Sequence, residues 1–389
     1  MKTFRTLFLV LAILQVAGST FAANELFRSV ASGNWNLTSS WEMSTNGGGA
    51  WFAATSTPHD TSGAITIRVP NNVTVTANVT ANQLTIDSGA VLTINSGVVL
   101  TIIAGSGNDL TLLKGSILSG PGAVRTQGTI EINPRAGSAF NAQLNVNSGT
   151  TTANDQISPY QGNLYGNVSI DAGATLNGGS VSGFSTVIYG SVTINGTLTT
   201  GSAGANVFMK GPSLTNSGTI NPGRFYLDSI TTITGSGAYS SPITYVRGNS
   251  TMLSNMTGSP SSQFIVTSTG TLNPNGFTFT FTSGTLALEA GATISAPGNI
   301  KTQNNIGISI TGGAFFDADL NINTGSATLN NASSVSNNVY GNLTIDAGAT
   351  LNGGNTSGRN STYYGTVINN GTLTATSTGG RNHIKGSSL

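Results

Sequence analysis

Asp317 and Asp319, in the segment FFDADL, are the residues whose types and spacing best fit chemistry. Side chains two positions apart on a strand point to the same side. A carboxylate pair held that way can divide the acid and nucleophile or base roles of glycoside cleavage. Clustered carboxylates, often with Ca²⁺ and a basic residue, also serve proton abstraction from acidic sugars. Two observations weaken a catalytic role. Asp and Glu together number 13 and are scattered, and a related segment carries Asn141 and Gln143 at the matching positions. The leading expectation is a solvated face, with catalysis by Asp317 and Asp319 as its rival.

Other candidates are sparser. Asp171 and Asp346 occur in IDAGATL, and Asp87 holds the same place in LTIDSGAVL. An Asp after a strand and two residues before Gly reads as a turn former accepting backbone N–H groups. AGSGNDLTL at 104–112 is similar to a calcium turn of the Gly-Gly-x-Gly-x-Asp kind, but it occurs once, begins with Ala104 and reads as an ordinary turn. His59 and His383 are the only histidines and lie near opposite ends of the chain. Thr278, Thr280 and Thr282 in FTFTFT could line one outer face and order water as on an ice-binding surface, a minor reading. Sequons such as Asn72-Val-Thr and Asn78-Val-Thr are expected by chance in a chain this rich in Asn and Thr. No cysteine is present, so thiolate chemistry, Cys-ligated metals and disulfides are excluded. No cofactor and no metal are expected.

Composition narrows the class. Charged residues make up 7% of 389 residues, against roughly a quarter in a globular domain, and the formal net charge is +1. No basic field exists to hold phosphates, so nucleic acid is not an expected partner. At the N-terminus Lys2 and Arg5 precede an apolar run from Leu7 to Val16, and Thr20 and Ala22 flank a cleavage position. Residues 1–22 read as a secretory signal peptide, the run being too short to span a bilayer. No other segment reads as a transmembrane helix.

The elements that must position these residues are strands. From residue 65 apolar residues alternate with Thr in AITIRV, VTVTA, QLTIDS, VLTINS and VVLTII. That is the period-2 mark of a strand with one face buried. Gly, Asn, Asp and Ser fill the gaps. Short strands, near-absent charge and a recurring LTI phrase favour a right-handed parallel β-solenoid over an antiparallel sandwich or propeller. Three strands per coil and roughly 20–28 residues per rung give a body on the order of 60–80 Å. Trp35, Trp41 and Trp51, the only tryptophans, mark 23–70 as an N-terminal aromatic cap, with a carbohydrate-stacking platform as the alternative.

A longer repeat overlies the rungs. GNVSIDAGATLNGG at 166–179 returns as GNLTIDAGATLNGG at 341–354, 175 residues on. YGSVTINGTLTT at 189–200 aligns with YGTVINNGTLTA at 364–375, and FMKGPSL at 208–214 with HIKGSSL at 383–389. The domains expected are a first solenoid block over 71–255 and a second, incomplete copy over 256–389. The second copy stops at the equivalent of Leu214, so the sequence is expected to be a piece of a longer protein.

SGNW, SSWE, STP and GAITIRVPNNVTV, leading into QLTIDSGAVLTINSGVVLTI, resemble the start of exported β-helix proteins of Bacteroidetes-type bacteria. The later rungs resemble passenger regions of adhesin-like and autotransporter-like β-helices. The resemblance implies a C-terminal sorting domain in the full protein and carries over no catalytic residue. The functional expectation is a secreted or cell-surface structural and adhesive solenoid. It would present Thr, Ser and Asn ladders to a glycan, matrix or partner protein. The alternative is a carbohydrate-active enzyme, a polysaccharide lyase or glycoside hydrolase.

Overall fold

Alternation decides the architecture. In the strands Gln83–Ile86, Val91–Ile94 and Val99–Ile103 the Leu and Ile side chains alternate inward with outward Thr. The computed structural model describes residues 25–105, 107–153, 161–229, 231–330, 337–353, 360–375 and 377–387. The expected leader at 1–22 and the terminal Leu389 lie outside the described residues.

Each turn of chain lays down three short strands. One turn reads Val168–Ile170, Thr175–Asn177 and Ser185–Ile188, and the next Val192–Ile194, Thr197–Thr199 and Asn206–Met209. Equivalent strands pair in parallel, Val168 with Val192, Thr175 with Thr197 and Ser185 with Asn206. These ladders form a first, a second and a third face. The third is a 16-stranded sheet. The first two merge into a 31-stranded sheet because Ala123–Pro134 and Gln143–Ala153 run continuously round the corner between them. The protein is the parallel β-solenoid that the sequence implies. Sixteen stacked strands give a length on the order of 70 Å. The step per turn varies from 18 residues, Asn206 to Arg224, to 26, Val91 to Ile117.

Inward side chains stack into columns. On the first face Leu100, Val124, Leu144, Val168, Val192, Leu214 and Ile233 lie one above another, all buried. Each rung thereby buries its apolar side against only two neighbours, the logic of a quasi-one-dimensional fold.

Parallel coiling already begins within 23–70. Leu26–Ser29 pairs in parallel with Ala64–Ile67, and on its other edge in antiparallel with Trp41–Ser44, which pairs in antiparallel with Phe52–Ala53. Trp35 and Trp41 are buried edge to face, with ring centroids 5.1 Å apart. Their Nε1–H groups donate to the carbonyls of Pro58 (3.1 Å) and Trp35 (2.8 Å). Rings so enclosed are packing elements and cannot serve as a sugar-stacking platform. The antiparallel pair occupies an edge that would otherwise template further parallel pairing.

The long repeat does not return to the same face. Val168–Ile170 stands on the first face, but its counterpart Leu343–Ile345 stands on the second. Thr175–Asn177 is on the second face and its counterpart Thr350–Gly353 on the third. Eight successive pairings lead from Val168–Ile170 to Asn337–Val339, and Leu343–Ile345 is the next strand along the chain. The block is therefore eight turns and one face long. The faces tolerate this because each is built from the same short strands with alternate residues inward.

Candidate functional site

The two aspartates singled out by spacing do not share a strand. Asp317 lies in the corner after Phe315–Phe316, and Asp319 opens the strand Asp319–Ile322. Both side chains are exposed, with the buried Ala318 between them. Asp319 Oδ1 accepts the N–H of Asn342 at 2.9 Å. Asn342 Oδ1 accepts the N–H of Thr366 in turn (3.0 Å), and Asn78, Asn167 and Asn255 do the same for Val99, Ser191 and Thr278. Asp319 thus fills an asparagine's place in a recurring device that hands one side-chain oxygen to the backbone of the next rung.

Asp319 does, however, border the feature that best fits a ligand. Thr278–Phe281, Asn299–Thr302 and Asp319–Ile322 are consecutive strands of the second face. Their Phe and Ile residues point into the core. Outward they form two columns, Thr278–Asn299–Asp319 and Thr280–Lys301–Asn321, the second extended by Thr257. Thr257, Thr278, Thr280, Asn299, Lys301 and Asn321 line an open groove of about 600 Å³. Hydroxyls and amides here follow one another at the rung spacing of about 4.8 Å. Lys301 interrupts the threonine column, and Thr282 lies beyond the strand with its hydroxyl donating to Gly258 O (3.4 Å), so no flat threonine array forms. The groove can exchange hydrogen bonds with a polyhydroxylated ligand.

A second carboxylate pair was not visible in the sequence. Asp109 and Glu131 stand on adjacent rungs, where the N–H of Asp109 donates to Glu131 O (3.1 Å). Together with Gly105, Thr129 and Thr152 they line an open pocket of about 430 Å³. Asp109 is only 2% exposed. Its Oδ1 accepts from the N–H of Gly105 (2.6 Å) and its Oδ2 from the N–H of Glu131 (2.8 Å). Burial pushes its carboxyl above the usual range, against the pull of these two N–H donors, and the Glu131 charge pushes the same way as burial. The loop resembling a calcium turn is therefore clasped by its own aspartate. Only knowledge of the rung length at this point would have joined Glu131 to it.

Asp109 also fixes a pH response. Its folded pKa is raised above the ordinary 3.8, so folding favours the protonated form. The stability tied to this group is full below about pH 3.8 and is lost as pH rises through the raised value. Asp109→Asn is expected to flatten that part of the profile, checked by melting wild type and variant between pH 3 and 7. Asn keeps one acceptor for two donors, so the variant is also expected to lose about 1 kcal/mol at low pH.

The aspartate of the doubled phrase works differently from the turn former expected. The main-chain carbonyls of Asp87, Asp171 and Asp346 close the turn by accepting the N–H three residues on. The carboxylate of Asp171, in contrast, accepts side-chain amides of the preceding rung, from Asn145 (3.2 Å) and Asn147 (2.8 Å). Gln127 donates to Asn147 Oδ1 (3.0 Å), extending the chain over three rungs. Gln303, Asn323, Asn321 and Asp346 repeat it in the second copy. Asn147 is the extra residue of a bulge, since Thr126 faces Val146 but Gln127 faces Ser148.

His59 Nδ1 lies 2.9 Å from Thr61 Oγ1 in the N-terminal segment. His383 sits on Arg381–Ile384 at the other end, so the fold does not bring the two together. Among the described residues no three His, Asp or Glu side chains converge to hold a metal. No described helix is long and apolar enough to cross a membrane. Comparison with family models, with curated proteins and with solved structures gives no match.

Proposed function

We propose that this chain is a non-catalytic structural and adhesive solenoid whose second-face groove binds an uncharged glycan. The observation that carries the reading is the pair of outward columns Thr278–Asn299–Asp319 and Thr280–Lys301–Asn321. They repeat hydroxyl and amide groups along a straight face, as an extended polymer of hydroxyl-bearing rings would require. Carboxylates with assigned structural bonds support it as well. Asp109, Asp171, Asp319 and Asp346 each hold a neighbouring rung, an employment unlike that of an acid or base waiting for substrate. The leader read at 1–22 and the resemblance to exported bacterial β-helix proteins support secretion or surface display.

Binding of the mature chain to a panel of neutral polysaccharides tests the reading. Thr280→Arg with Asn299→Arg is expected to weaken binding at least tenfold, about 1.4 kcal/mol, with an unchanged melting temperature. Wild type that binds no member of the panel would overturn it.

The enzymatic rival rests on Asp109 and Glu131, two carboxylates of adjacent rungs in one pocket, one of them with a raised pKa. It calls for unsaturated or reducing-end products from polyuronates or neutral glycans, lost on Asp109→Asn. Turnover of that kind would replace the adhesive reading.

A further inference from the structure

We propose a second binding site, for an acidic polysaccharide, on the third face around residues 208–247. Its floor is an aromatic ladder. Phe208, Tyr226 and Tyr245 are register partners on consecutive rungs, stacked with centroids 4.4 and 4.6 Å apart. Cations form its two rims. At the corner that ends these strands, Lys210, Asp228 and Arg247 follow one another on successive rungs, each N–H donating to the rung before. At the opposite edge Arg224 opens the Tyr226 strand and hydrogen-bonds the Tyr226 hydroxyl.

Charge balance shows what these groups are free to do. Lys210, Arg224 and Arg247 are exposed, while the one carboxylate among them, Asp228, is half-buried. Arg247 suffices to answer Asp228, at 3.8 Å. Two positive charges remain in surplus within three rungs of a chain that is only 7% charged. The next acid along the corner, Glu289, lies two rungs past Arg247, and its Oε2 accepts the N–H of Ser268 (3.0 Å). Arg247 is held in place before any ligand arrives, with its guanidinium 4.2 Å from the Tyr226 ring centroid. Lys210 lies 5.7 Å from the Tyr189 ring. Each of three rungs thus supplies one cation, at intervals of about 4.8 Å. An extended chain with one anionic group per sugar, lying along the solenoid axis, would meet a cation at each step. Guanidinium groups pair in fork geometry with carboxylate and sulfate alike.

This site is independent of the second-face groove, and salt separates the two. Mature protein is titrated with polygalacturonate, with sulfated dextran and with a neutral glucan. Binding to one or both polyanions, weakening as salt is raised, is expected, and which one binds identifies the anionic group. Arg224→Gln with Arg247→Gln is expected to lower that affinity at least tenfold. Adding Asp228→Asn removes the unpaired carboxylate and keeps the loss interpretable if the double variant melts early. Lys114→Gln with Arg135→Gln, which removes two cations elsewhere, is expected to change it less than twofold. The absence of polyanion binding by wild type would overturn the proposal, as would an equal loss in the Lys114 and Arg135 variant.

Discussion

Phe281→Ala is expected to lower the unfolding free energy by about 3–5 kcal/mol. Phe281 is fully buried and packs against Phe279 and Phe264, with centroids 4.3 and 5.4 Å away. Truncation would leave a cavity between rungs whose backbones are fixed by ladder hydrogen bonds on both sides, so collapse can fill little of it. The same strand carries Thr278 and Thr280 on its outer side. Loss of the inner ring should therefore loosen the outer groove, and glycan binding there should fall with stability. Thr280→Arg, by contrast, should impair binding alone. Denaturant melts read beside binding isotherms distinguish the two. Because each rung contacts only its neighbours, the loss is expected as an early partial transition rather than a shift of the whole curve.

Gly190→Val should cost about 3 kcal/mol by a different route. A Cβ at Gly190 would run into the carbonyl oxygen of Gly166, and one at Gly211 into that of Gly190. These glycines belong to the YG, YG and KG pairs that follow the strands Gln161–Leu164, Ser185–Ile188 and Asn206–Met209. What they require is close backbone approach. Gly173 in the doubled phrase is the opposite case. Nothing lies within 4 Å of its would-be Cβ, but its φ is +79°. Gly173→Ala should cost only the left-handed backbone penalty of about 1–2 kcal/mol. Thermal melts of the two variants give the order, and equal losses would contradict the stacking account.

How much of this was legible depended on the range of the interaction. Period-2 alternation in QLTI or VLTI is local, so strands, buried face and solenoid could be read directly. The role of Asp171 could not, because its amide donors, Asn145 and Asn147, lie 26 and 24 residues earlier. Asp109 and Glu131 stayed apart for the same reason. Rungs here step by 18 to 26 residues, so no fixed spacing brings a column into view. Asp317 and Asp319 failed in the converse way. Their spacing is local, but Ala318 takes the corner and divides them between two elements. The corner aromatics had a usable signal. Tyr165, Tyr189 and Lys210, like Tyr340, Tyr364 and Lys385, each precede a glycine at the end of a strand.

The block of eight turns and one face has a mechanical consequence. Tyr165–Tyr189 with Lys210 recurs as Tyr340–Tyr364 with Lys385, stacked at 4.7 and 4.8 Å. The second set stands on a different corner, about 40 Å along the axis. Adding or removing one such block preserves every ladder, yet it swings all that follows through one third of a revolution. Copy number in this chain is thus a dial for compass bearing as well as for reach. Three blocks would bring a displayed feature back to its starting heading, and one or two would point it away.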